Sequence, residues 1–231
     1  MRVVFMGTPD FSVPALEKIA EKHEVTGVVT QQDRPKGRGH KMQFTPVKEK
    51  AIELGIPVFQ PEKVKNPGFV DILREMNPDV IVVIAFGQIL SKEILDLPKH
   101  GCINVHASLL PKYRGAAPIQ WAVIDGEEHS GVTTMYMAEG LDTGDMIDKK
   151  IIKLDEKETG GSLFDKLSFE GGALILETLE KLENNTVKRI PQNDDESTYA
   201  GKITKELGQI DFYKSATEIE RLIRGLNPWP S

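Results

Sequence analysis

A single cysteine, Cys102, occurs among 231 residues, so no intrachain disulfide and no Cys-rich zinc site can form. That usage fits a reducing compartment. Metal-ligand spacing is missing as well: the five histidines (23, 40, 100, 106, 129) are scattered, and neither HxxxH nor CxxC occurs. Long apolar runs are missing too. The densest, VIVVIAF at 80–86, falls far short of the roughly 18–20 residues that span a bilayer. The opening MRVVFMG stops being apolar at Gly7 and lacks the layout of a signal peptide. The first turn reads GTPDF rather than GxGxxG, which excludes a dinucleotide fingerprint. No GxSxG occurs, so a serine nucleophile elbow is excluded. These absences predict a cytoplasmic protein without a membrane anchor and without a metal.

What is present is ordinary for a globule: 39% hydrophobic residues, 28% charged, and a net charge of −6. The length suits one generous domain, or one domain and part of a second. Mild acidity argues, taken alone, against a nucleic-acid partner. One segment runs the other way. Residues 33–50 carry Arg34, Lys36, Arg38, Lys41, Lys48 and Lys50 against Asp33 and Glu49, a local net of +4. Gly37 and Gly39 make it pliable, and its charge density suits a phosphate backbone at least as well as plain solvation.

Periodicity outlines the elements. Residues 2–6 predict a strand, then a turn, then a helix with Ser12 as N-cap and Pro14 in its first turn. Strands are expected at 25–30, 56–61, 79–86 and 102–108, and helices at 47–55 and 68–77. Residues 31–46 read as one long loop. The run at 79–86 is apolar on both faces, the mark of a central parallel strand. Residues 131–137 alternate like an exposed or antiparallel strand, and 146–154 could pair with them. A long helix is expected over 159–185 and a last amphipathic one over 216–226. The predicted fold is α/β: a doubly wound, mostly parallel, Rossmann-like sheet with helices on both faces. Residues 1–188 would form one domain, 189–214 a polar surface linker, and 215–231 a terminal segment that holds the last helix.

Chemistry concentrates in NVHASLLPKYRGAAPIQ at 104–120. Asn104 and His106, two apart on a strand, share one face at its C-terminal end, where open α/β sheets place ligands. An amide beside an imidazole suits a developing oxyanion. Asp142, in the Gly-rich stretch AEGLDTGDMI, would orient the imidazole; alone, it would more often be a turn residue bonded to its own backbone. The turn GTPDF is either an anion site at a helix N-terminus or a tight turn that merely needs Gly. Cys102 reads as a buried core thiol.

Five strings together, GTPDF (7–11), QQDRPKGRG (31–39), GCINVHASLLPKYRGAAPIQ (101–120), GLDTGDM (140–146) and NPWP (227–230), resemble the 10-formyltetrahydrofolate-dependent formyltransferase family. GAAPIQ, LDTGDM and the DRPKGRG loop are most similar to its branch that formylates an aminoacyl-tRNA. The resemblance covers essentially the whole sequence. It implies Asn104, His106 and Asp142 as the catalytic set. It implies a folate site at Phe86, Gly87, Gln88, Ile89 and Leu90, at Glu139, Gly140 and Leu141, and at an entrance shaped by Ser108, Leu109, Leu110 and Pro111. Phe11 would lie near the methionyl end of the acceptor, and Arg34, Lys36, Arg38 and Lys41 near the acceptor stem. The implied co-substrate is 10-formyltetrahydrofolate and the implied partner initiator methionyl-tRNA, met by a monomer with no metal and no membrane contact. Relatives of this branch continue past NPWP into a C-terminal β-barrel, so the resemblance implies a protein truncated at its C-terminal side. Formyl transfer to a sugar-nucleotide amine, deformylation by water, and nucleotide or folate binding without catalysis are the competing readings. The long basic loop speaks against both small acceptors, and the presence of all three polar residues against a mere binding module.

Overall fold

A computed structural model of the protein describes residues 1–36 and 41–230. The first half alternates strand and helix. β1 (Arg2–Gly7), α1 (Val13–Lys22) and β2 (Glu24–Val29) lead into a hairpin of β3 (Arg34–Lys36) and β4 (Lys41–Gln43). Then come α2 (Pro46–Glu53), β5 (Val58–Phe59), α3 (Pro67–Glu75), β6 (Val80–Ile84), α4 (Lys92–Leu95) and β7 (Cys102–His106). The second half holds β8 (Arg114–Gly115), α5 (Pro118–Asp125), β9 (His129–Tyr136), β10 (Met146–Lys153), α6 (Gly160–Glu183), β11 (Tyr199–Ala200) and α7 (Ala216–Gly225).

Among the described residues one seven-stranded sheet runs in the order β10-β9-β7-β6-β1-β2-β5. The five strands from β7 to β5 are parallel; β9 and β10 are antiparallel additions. The doubly wound class therefore holds. β1 and β6 are apolar on both faces in their buried stretch because each face is covered. Val3, Phe5, Val80, Val82 and Ile84 pack into a core with α1 and α6. Val4, Met6, Ile81 and Val83 point the other way, into a core with α3 and α4. Each such aliphatic side chain stabilises the fold by roughly 1.5–3 kcal/mol when fully buried. The backbone leaves β1 toward β2 and β5, then returns to place β6 on β1's other side. That reversal opens a crevice beyond the C-terminal strand ends, the usual ligand position in such sheets.

Three expectations change. Residues 31–46 are not one irregular loop, since Arg34–Gln43 and Lys36–Lys41 pair across a hairpin. Its base is fixed by the Lys48 ammonium, which donates to Asp33 at 2.5 Å and to Gln60 at 2.8 Å. Ser12 does stand at the N-cap, but its hydroxyl caps nothing; it donates to the Ile84 carbonyl at 2.7 Å and ties the first turn to β6. β9 is antiparallel, but it is buried rather than exposed, because α6 covers one face and residues 108–110 the other. Its threonines are satisfied internally: Thr134 pairs with Thr178 at 2.8 Å, and Thr133 donates to the Ser108 carbonyl at 2.7 Å.

Residues 189–214 follow the surface but are stitched to the body. β11 pairs in parallel with β8, and Trp121 donates its indole N–H to the Gly201 carbonyl at 2.7 Å. Ile203, Ala117 and Leu226 bury a small satellite core there, with α7 against α5.

Candidate active site

A cavity of about 570 Å³ occupies the crevice beyond β1, β6 and β7. Asn104 and His106 line it together, as their spacing on β7 predicts. Residues 115–120, Asp142, Phe164 and Tyr199 complete the wall. His106 is buried. Its Nε2 lies 2.8 Å from the Tyr113 carbonyl oxygen, and its Nδ1 faces Asp142 Oδ2 at 3.7 Å. A carbonyl only accepts, so Nε2 carries a proton. Nδ1 faces a carboxylate at a distance too long for a good hydrogen bond. The Asn104 carboxamide has no hydrogen-bond partner among the described residues, although it opens into the cavity.

Asp142 is not a residue that folds back on its own backbone. Its carboxylate accepts from the Gly115 N–H at 2.8 Å, across 27 residues. Its φ of +52° is left-handed. For an L-residue that conformation costs about 1–2 kcal/mol, less for Asp than for most, and persists only where neighbours impose it. One of them is Gly144: a Cβ there would sit 1.8 Å from the Tyr136 carbonyl oxygen. A Cβ on Gly7 would meet Phe5 and Ser12 at 2.8 and 2.9 Å, so the close approach itself demands glycine.

Of the folate-site expectations, Phe86, Gly87, Gln88, Ile89 and Leu141 line the cavity. Ile89 and Leu141 are 85% and 60% exposed, two large apolar side chains bared at one opening. Leu90 instead packs into the core on the α3 side. Ser108, Leu109, Leu110 and Pro111 do not reach the cavity wall. Leu110 is fully buried against Met135 and Met146, and the Ser108 hydroxyl donates to the Lys112 carbonyl at 2.7 Å. The segment's effect is to turn the backbone so that Tyr113 meets His106. Glu139 and Gly140 are exposed beyond the cavity, with Glu139 on a separate groove past Met137.

Phe11 lines the cavity and meets Phe164 edge-on at 5.2 Å between ring centroids. Arg34 borders an adjoining cavity of about 480 Å³ that shares Pro9 and residues 85–87 with the first. Lys36 and Lys41 sit opposite each other on β3 and β4; Arg38 lies outside the described residues. Charge counting overstated this segment. Lys48 is spent on Asp33, and Lys50 on Glu17 and Glu53 at 2.9 and 2.7 Å.

A family model described as "Formyl transferase" matches residues 1–179, and one described as "Formyl transferase, C-terminal domain" matches residues 202–231. A methionyl-tRNA formyltransferase of Agathobacter rectalis is 65% identical over the whole of this sequence, which covers 75% of that protein. Its counterpart in Clostridioides difficile is 60% identical, with the same coverage. The chain belongs to the methionyl-tRNA formyltransferase family. The fold is shared more widely. A sugar 3N-formyl transferase crystallised with dTDP and 5-N-formyl-THF superposes with a TM-score of 0.75 at 22% identity, over 97% of this protein and 78% of that one. An N-formyltransferase from Helicobacter canadensis, in complex with folinic acid and dTDP-3-aminofucose, gives 0.73 at 24% identity, over 96% and 79%. No described helix is long and apolar enough to cross a membrane.

Sequence reasoning missed the parts that hold the polar set in place. The Tyr113 carbonyl and Gly115 N–H act through backbone, which no side-chain motif reveals. Gln192 lies in a stretch read as linker, yet donates to the carbonyls of Asp142 and Gly144, both at 2.8 Å. Tyr199 reaches the cavity only through the β8–β11 pairing. Arg114, inside the string YRGAAP, was the one available signal.

Proposed function

We propose that the protein transfers the formyl group of 10-formyltetrahydrofolate to the α-amine of methionyl-initiator-tRNA, with Asn104, His106 and Asp142 as the polar set. The observation that carries this is the unpartnered Asn104 carboxamide beside the His106–Asp142 pair, on the wall of a cavity with bared Ile89 and Leu141. The cavity suits a flat heteroaromatic ring between apolar side chains, and its polar wall suits a carbonyl that gains charge.

The neutral amine adds its lone pair to the formyl carbon, forming the new C–N bond. Charge collects on the formyl oxygen, where the Asn104 N–H donates. His106 adds a second donor when its Nε2 proton is shared between the Tyr113 carbonyl and that oxygen. Asp142 holds the imidazolium in place. The oxyanion then collapses, the bond to folate nitrogen breaks, and a proton passes from the attacking amine to that nitrogen, relayed by His106 and water. Phe11 and Phe164 would flank the methionyl side chain. The β3–β4 hairpin, with Arg34, Lys36, Arg38 and Lys41, would meet the acceptor stem. Residues 1–188 are read as the catalytic unit and a monomer as the working form.

Formylation of methionyl-tRNA with 10-formyltetrahydrofolate, run beside amino-sugar nucleotides, tests the acceptor. Product with the sugar nucleotide alone overturns the tRNA reading. Asn104→Ala should lose about 10²–10³ in kcat with an unchanged melting curve, the cost of one oxyanion donor. A near-wild-type rate removes Asn104 from the mechanism.

A further inference from the structure

We infer that Gln192 is a positioning residue of the active site, clamping the Asp142 turn so that its carboxylate stays aimed at His106; the inference rests on the catalytic set proposed above. The carboxamide of Gln192 is fully used. Its Nε2 donates to the carbonyls of Asp142 and Gly144 at 2.8 Å each. Its Oε1 accepts from Arg114 Nε at 3.0 Å and Nη2 at 2.8 Å. The amide orientation is therefore determined: Arg114 can only donate and the two carbonyls can only accept, so a flipped carboxamide would lose all four bonds.

Three further facts give the clamp its purpose. Asp142 has a left-handed backbone that surrounding contacts must impose. Gln192 bonds the carbonyls on both sides of Thr143, so it spans the turn rather than touching one end. Arg114, its anchor, immediately precedes Gly115, whose N–H binds the Asp142 carboxylate at 2.8 Å. One short stretch thus governs Asp142 twice, directly through Gly115 and through Gln192. Arg114 also reaches Asp194 at 2.8 Å, and β11 pairs with β8, so the residues after α6 close over the site as a strap. The member of the polar set that needs holding is not the strand-borne His106 but the turn-borne Asp142.

Two substitutions and two readouts test this. Gln192→Met keeps length and loses both donor and acceptor. Gln192→Glu keeps the Arg114 contact, which preserves folding, but sets a carboxylate against two carbonyl oxygens. Hydrogen exchange at the Gly115 amide, which donates to the Asp142 carboxylate and is read without any substrate, should quicken at least about tenfold in both variants. In formyl transfer, kcat should fall about 10–100-fold, as small misplacements near a reacting group do. KM for methionyl-tRNA should stay within about twofold. The Gln192→Glu variant carries a signature that a structural role does not: a protonated carboxyl can donate, so its activity relative to wild type should rise as pH falls. Unchanged exchange at the Gly115 amide, or a pH profile parallel to wild type, overturns the clamp. A wild-type protein that formylates no acceptor while the exchange result holds overturns the functional reading and leaves the clamp standing.

Discussion

His106 presents Nε2 to the Tyr113 carbonyl at 2.8 Å, and that contact assigns both ring nitrogens. With Nε2 protonated, Nδ1 is the atom that meets Asp142, at 3.7 Å. That distance is too long for a good hydrogen bond, so the carboxylate would act on a protonated ring through charge rather than through a shared proton.

Asp142→Asn tests that charge. The carboxamide can still accept from Gly115, so the fold should melt as before. Loss of the carboxylate beside the imidazole should lower kcat about 10²- to 10⁴-fold, the upper figure being the cost in a serine-protease triad. A loss below about threefold would show that Asp142 only shapes the turn.

Acid should release the hairpin before it unfolds the body. The hydrogen bond from Lys48 holds the Asp33 carboxyl below its ordinary value, burial opposes it, and Gln60 assists. A depressed folded value means the anchor is intact above the unfolded carboxylate range and is lost as pH falls through the folded one. Asp33→Asn should reproduce the acid state at neutral pH. Trypsin cleavage after Lys36 or Lys41 should then quicken, while the thermal midpoint barely moves.

Glu158 makes a second acid-sensitive point, buried just before the N-terminus of α6. Burial pushes its carboxyl up, but hydrogen bonds from Lys166, Ser162 and the Asp155 N–H outweigh that and leave it below the ordinary value. Its contribution is therefore full above the usual glutamate range and disappears on acidification. Glu158→Gln leaves Lys166 without a buried charge partner and should cost about 1–3 kcal/mol in urea denaturation at neutral pH. The loss should shrink as pH approaches the carboxylate range; a pH-independent loss would assign it to packing.

Cys102 should be inert in the native protein. Burial, with the Asp96 charge adding to it, pushes the thiol up to about 12. The Sγ lies against the Ile94 carbonyl at 3.5 Å. Iodoacetamide at pH 8 should leave it unmodified over hours and alkylate it fully in denaturant. Prompt native alkylation would mean that β7 opens.

How much could be read early follows from how far each interaction reaches. The all-apolar run at 80–86 disclosed a strand covered on both faces, and NVH placed two polar side chains on one face, because both patterns are local. The identity of the family was legible for the same reason: its strings are short and contiguous. Leu110 was misplaced because an apolar residue in a motif looks alike whether it lines a ligand site or fills a core. Lys48 and Lys50 looked like surface charge until Asp33, Glu17 and Glu53 came into range.

The sequence by itself determined the α/β class, the strand that bears Asn104 and His106, and the family. Backbone periodicity and contiguous motifs carry those, and neither depends on distant partners. Tertiary structure alone decided the rest. It brought the Tyr113 carbonyl to His106, set Gly115 and Gln192 on Asp142, and turned an apparent linker into one wall of the site. Those contacts join residues 7 to 50 positions apart through backbone atoms and one amide. Such groups are common to every residue or unremarkable in isolation, so only their convergence in space distinguishes them.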